Sequence, residues 1–356
     1  MMNKREFLKT SLAMTSGLGL LSGGINSVSA VENQETKPSG NSSVGSIKIN
    51  KREKLLSVLD QSKPNQYVPA AFFMHFPEKF GEDAAKRHIN YFRATNMDIV
   101  KVQYELSLPR LEIQKPEDWE KVPVYKTDYF EPVLALIEYV AKELKSEALI
   151  IPTVFGTFTQ IVQTAGNIQK VLEHAQENPD IVAKGIKNLT ESLLNYVSEA
   201  IKRGADGFYY SIQGGDNEHF AKSELFNRIS QSNIAVLQEV NNKTLLNILH
   251  ICGTYNEISK FISLPTSIVN PPFTLKDGSR VHVKDVQETF HRPVLGGLNK
   301  NGVISGGTFE QIVPEVDSLL QEAPSNFFLG ADCTIHAEWD TLRKVIDYAH
   351  TWREKN

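Results

Sequence analysis

From Ile47 onward, short apolar runs alternate with stretches in which apolar residues recur every three or four positions. The first pattern suits strands covered on both faces, and the second suits amphipathic helices lying on a sheet. The runs predict strands over 68–75, 98–104, 148–155, 207–211, 244–250, 267–270, 292–296 and 327–330. Between them the helical period predicts helices over 82–94, 130–144, 158–176, 181–203, 223–240, 256–262, 308–321 and 338–352. A loop rich in Pro, Lys and Glu fills 108–128. Eight strands alternating with helices indicate a parallel sheet of α/β class, and eight is the number that closes a single (β/α)8 TIM barrel. No linker divides 47–356, which reads as one domain.

The first 46 residues do not share this pattern. Met1 to Lys9 are basic, 12–25 are weakly apolar and Gly-rich, and Val28-Ser29-Ala30 supply small residues for a cleavage site. Residues 1–30 therefore predict an export signal. Lys4-Arg5-x-Phe7-Leu8-Lys9 resembles the twin-arginine signal with Lys for the first Arg; ordinary secretion and a short uncleaved anchor stay open. Residues 31–46, polar and rich in Ser, Gly and Asn, predict a flexible linker. The expectation is a periplasmic or otherwise extracytoplasmic protein, with no stable membrane insertion after processing. No apolar run reaches the ~18–20 residues that a membrane span needs.

With 41% apolar and 22% charged residues, the composition is that of an ordinary soluble globular protein. A net charge of −4 leaves no electrostatic footprint for nucleic acid. The chemistry collects elsewhere. His75, Glu105, Gln163, Ser211, Gln213, His250, Cys252, Asn270, Asp332 and Cys333 all follow the C-terminal ends of predicted strands. In barrel enzymes that face carries the active site.

The chain has two cysteines, both at that rim. His250 and Cys252 stand two apart at the end of an apolar run, so an extended strand points both to one side. With Cys333 after Phe327-Phe328-Leu329, one imidazole and two thiolates predict a three-ligand zinc site with an open fourth position. Two blander readings stand beside it: a Cys252–Cys333 disulfide in an exported protein, and a satisfied core histidine. Glu105 is a candidate proton acceptor, a labile fourth ligand or a solvated rim carboxylate. His75 is a candidate substrate contact or a packed residue, and Gln163, Ser211 and Gln213 are candidate substrate contacts. Asp332 is a candidate substrate contact, an orienting group for a ligand, or a helix N-cap. Gly214-Gly215, Gly296-Gly297 and Gly306-Gly307 read as tight turns after strands rather than phosphate cradles.

Phe73-Met74-His75-Phe76-Pro77, Asn96 to Val102, Gly204-Ala205-Asp206-Gly207 with Tyr210-Ser211-Ile212-Gln213, Val294 to Leu298, and Phe328 to Cys333 together resemble the uroporphyrinogen decarboxylase superfamily, from about Ile47 to the C-terminus. The resemblance implies a (β/α)8 barrel. Its decarboxylase branch uses no metal; arginines near the first strand hold porphyrinogen carboxylates, and an aspartate acts at the end of the second. Here the first-strand loop has no arginine, Glu105 falls near the aspartate, Gln163 near a tyrosine and Ala331 near a histidine. The departures argue against uroporphyrinogen itself as substrate. The methylcobamide:coenzyme M methyltransferase branch is closer, because His250, Cys252 and Cys333 match its zinc motif one for one. That likeness implies one zinc per chain, a thiol entering the open position, and a methyl group carried on a corrinoid, possible here on a partner protein.

The expected function is therefore zinc-dependent methyl or alkyl transfer to a thiol in an exported enzyme. Export sits badly with cytoplasmic corrinoid proteins and small thiols, so a zinc-assisted lyase or hydrolase at the same site stays open. The alternatives are a metal-independent decarboxylase of a carboxylated substrate working through Glu105, and an inactive exported binding protein.

Overall fold

The computed structural model describes residues 50–59, 66–254, 257–275 and 277–355; the export signal and linker expected over 1–46 lie outside them. Five strands pair in parallel in chain order: β1 (Ile99–Val102), β2 (Leu149–Phe155), β3 (Gly207–Ile212), β4 (Leu246–Ile251) and β5 (Ile268–Asn270). β6 (Leu295–Leu298) and β7 (Phe328–Ala331) form a second parallel pair. The helices are α1 (Lys51–Leu59), α2 (Gly81–Thr95), α3 (Thr127–Leu144), α4 (Thr157–Ala165), α5 (Ile168–Glu177), α6 (Pro179–Lys202), α7 (Glu218–Ala221), α8 (Glu224–Asn241), α9 (Val283–Phe290), α10 (Phe309–Glu322), α11 (Trp339–His350) and α12 (Trp352–Lys355).

Single bridges join the two sheets, Val269 to Val294 on one side and Ala70 to Leu329 on the other. The Asp98 N–H donates to the Ala70 carbonyl at 3.0 Å and links that segment to β1. Hydrogen bonds thus run round a TIM-type ring, but the expected first strand over 68–75 is only a one-residue bridge. Pro69 has no N–H to give, and the Ala70 N–H goes to the Asp98 carboxylate at 2.7 Å. A ladder needs those donors, so none extends there.

Two cores follow from the alternation of strand residues. Residues facing outward meet the helices. Those facing inward, among them Phe73, Ile99, Leu149, Ile151, Tyr209, Leu246, Ile248, Ile268, Leu295 and Phe328, fill the barrel together with Leu55 and Val58 of α1. The sequence pattern had not predicted α1. It closes the N-terminal end of the barrel and is pinned there by ion pairs, Lys51 to Asp98 at 3.1 Å and Arg52 to Asp206 at 2.8 Å.

Other departures are local. The helix expected over 158–176 breaks at Gly166, whose φ of +77° ends α4, and restarts where the Asn167 side chain caps α5. α9 was not predicted, although Val283, Val286 and Phe290 bury one face at helical spacing. Gly296 and Gly297 lie inside β6 and not in a turn. A Cβ on Gly296 would stand 2.5 Å from the Phe273 ring, so no larger residue fits between that ring and the sheet.

Candidate metal centre

β4 and β7 deliver the three expected ligands. His250 is the next-to-last residue of β4 and is buried. Cys252 extends that strand by one more bond, its N–H donating to the Ile212 carbonyl at 2.9 Å. Cys333 follows β7 by two residues. Although β4 and β7 stand apart round the ring, both post-strand segments bring their side chains together. One ligand atom from each of His250, Cys252 and Cys333 lies within 4.8 Å of the other two. An ion bound at about 2.0–2.3 Å reaches three donors so spaced, and two sulfurs with one imidazole nitrogen suit zinc.

The histidine is oriented by Asn270, the last residue of β5 and fully buried. Asn270 Nδ2 donates to the carbonyls of Leu295 and Ala331 at 2.9 and 3.0 Å, which fixes the amide so that Oδ1 faces the other way. Oδ1 accepts the Tyr209 hydroxyl at 2.7 Å and His250 Nδ1 at 2.8 Å. Nδ1 must therefore carry the proton, which leaves Nε2 as the ring nitrogen able to ligate. The Tyr209 ring also stacks on the His250 ring, centroids 5.0 Å apart.

The cysteines are two thiols rather than a disulfide. A hydrogen bond between them holds Cys333 below the ordinary thiol range, with His250 and Lys300 adding to the effect. The same bond, with burial, pushes Cys252 up.

The remaining candidates divide. His75 and Glu105 do meet at the mouth, Nδ1 to Oε1 at 2.6 Å, with His75 exposed and Glu105 half-buried. Gln103 holds the His75 loop in place, accepting from Phe76 N–H at 2.9 Å and donating to the Glu78 carbonyl at 2.7 Å. Ser211 is buried beside His250 in the strand register. Gln163 accepts from the Leu108 N–H at 3.0 Å, and Gln213 from the Thr159 hydroxyl at 3.1 Å, so both oxygens brace loops. Asp332 accepts the Lys300 N–H at 2.8 Å and fixes the loop after β6. It is not a helix N-cap; Glu338 has that place before α11. Burial raises the Asp332 carboxyl, against the bond from Lys300.

Sequence reasoning missed Lys101. Its Nζ enters the barrel over the rings of Phe73 and Tyr209, 5.5 and 5.1 Å from their centroids. The residue is half-buried, and burial pulls its ammonium down to about 8, opposed by the charges of Cys333 and Glu105. The available signal was a charge in the middle of Ile99-Val100-Lys101-Val102, an otherwise apolar strand.

The uroporphyrinogen decarboxylase (URO-D) family model matches residues 92–352. No curated protein matches the sequence. Among solved structures, the chain is similar to a methyltransferase from Methanosarcina mazei, with a TM-score of 0.68 and 16% identity over 86% of this chain and 98% of that one. It is also similar to a B12-independent methionine synthase from Shewanella sp. W3-18-1 in complex with selenomethionine, with a TM-score of 0.51 and 13% identity over 82% and 96% of the two chains. At these identities the likeness is one of fold.

Proposed function

The chain belongs to the uroporphyrinogen decarboxylase family, and we propose that it transfers a methyl or similar alkyl group to a small thiol, with His250, Cys252 and Cys333 holding one zinc ion. The observation that carries this is the convergence of those three donors at the barrel mouth. The motif likeness to the methylcobamide:coenzyme M methyltransferases and the fold shared with the Methanosarcina mazei methyltransferase support it. Zinc in such a donor set lowers the pKa of a thiol that joins it, so that the thiol is ionised near neutral pH.

The chain's own residues supply the rest. Asn270 keeps His250 in one tautomer and one orientation. Glu105, hydrogen-bonded to His75, is the acceptor for the proton the thiol loses. The sulfur lone pair then forms the new S–C bond while the donor–carbon bond breaks, and that bond's electrons stay with the donor. A corrinoid on a partner protein is the donor class implied by the motif. If residues 1–30 direct export, donor and acceptor are both met outside the cytoplasm.

The test is metal content by elemental analysis of protein purified without chelator, for the wild type and for Cys252→Ser and Cys333→Ser. About one zinc per chain, lost in both variants, is the expected result. No zinc, with the two cysteines oxidised to each other, would end this reading and leave the metal-free alternatives.

A further inference from the structure

Alkyl transfer to a thiol, as proposed, leaves one charged group in the barrel without a task. Lys101 interrupts the apolar β1, and its ammonium lies over the rings of Phe73 and Tyr209, which touch each other edge to face. Among the described residues no hydrogen bond from Nζ to a protein acceptor is present. The acids that face this region are engaged: Glu105 with His75, and Asp332 with the Lys300 N–H. Aromatic faces return only part of what an ammonium loses on leaving water. A methionine would cover the same two rings without that penalty. Lys300, in the loop after β6, adds a second positive charge that acts on both cysteines. The Tyr209 ring joins Lys101 to the metal group, since the same ring stacks on His250.

We propose that Lys101 is a substrate-binding residue whose ammonium holds a carboxylate of the substrate in the barrel mouth beside His250, Cys252 and Cys333. This rests on the reading of alkyl transfer to a thiol, and it narrows the acceptor to a small thiol that also carries a carboxylate. The acid group supplies the hydrogen-bond acceptors that Nζ lacks, and enclosure strengthens the pair relative to water. Lys101 then selects the ligand by charge, while the sulfur-binding residues select it by softness.

Calorimetric titration of the full, zinc-loaded chain tests this with three probes: 3-mercaptopropionate, its neutral amide 3-mercaptopropionamide, and propionate. The wild type is expected to bind the thiol acid about tenfold or more tighter than the thiol amide. Lys101→Met is expected to lose that preference, keep the affinity for the amide, and melt at or above the wild-type temperature. Lys101→Gln replaces it if the methionine variant does not fold. Equal binding of acid and amide by the wild type, or a preference that survives in the variant, overturns the role of Lys101 and leaves the thiol reading standing. If neither thiol binds, the thiol reading fails. Propionate binding that is lost in Lys101→Met then still supports the carboxylate site, and no propionate binding overturns both.

Discussion

Asn270 carries more of the candidate site than its lack of charge suggests. One buried amide fixes the tautomer of His250, satisfies Tyr209 and ties β5 to the carbonyls of Leu295 and Ala331. Asn270→Ala should weaken zinc affinity by about 10- to 100-fold, the usual cost of losing a partner that orients a ligand. Competition with a chromophoric chelator measures it, and an unchanged affinity would show that His250 holds its pose without help. Gly296 acts by being small. Gly296→Ala would place a Cβ 2.5 Å from the Phe273 ring at a φ of +140°. A loss of about 2 kcal/mol or more in urea denaturation is expected. At this scale the ligands were legible, because His-x-Cys at a strand end fixes two side chains by local geometry. The roles of Gln163, Gln213 and Asp332 were not. Their partners, Leu108, Thr159 and Lys300, come from other segments that only the fold brings near.

At the scale of elements, α1 stands out because it belongs to no β/α unit and yet seals the barrel. Leu55 is fully buried among the inward-facing strand residues. Leu55→Ala should therefore cost about 2–5 kcal/mol, read as a lower urea midpoint at constant slope. A change under about 0.5 kcal/mol would mean that the helix rests loosely on the barrel. Most strands were readable, since a buried parallel strand is a near-continuous apolar run with little else to imitate it. The first strand was over-read because its donors are diverted by Pro69 and Asp98. α1 was under-read because nine residues with two buried apolar side chains give little periodic signal.

For the whole molecule, burial of ionisable groups makes stability depend on pH. His88 links α2 to β1 as a neutral ring, Nδ1 donating to the Ala84 carbonyl at 2.7 Å and Nε2 accepting the Gln103 N–H at 3.1 Å. Burial lowers its pKa to about 4. An unfolded histidine binds a proton near pH ~6.5, so the unfolded chain takes up more protons below that value. The stability that His88 contributes is present above ~6.5 and is lost as pH falls through the folded value near 4. Asp98 acts in the same direction at lower pH. Burial alone would raise it, but His350, Lys51 and Tyr67 hold it below the usual carboxylate range. Its contribution is present above ~4 and is lost as pH falls through that depressed value. Urea midpoints should decline steadily from pH 7 to 4, and His88→Gln should flatten the upper part of that decline. A midpoint independent of pH over this range would contradict the assignment of His88.

Sequence by itself determined the α/β alternation, the family, and which strand ends carry soft ligands, because each of these is written in local runs and short spacings. Tertiary structure alone decided that Cys252 and Cys333 lean inward from strands three places apart, and that Asn270 stands behind His250. It also decided that Lys101 points into the barrel, without a hydrogen bond to its ammonium among the described residues. The difference is physical. A strand's apolar face is set by neighbours two residues away, whereas a side chain's partner across a barrel is set by how the ring closes.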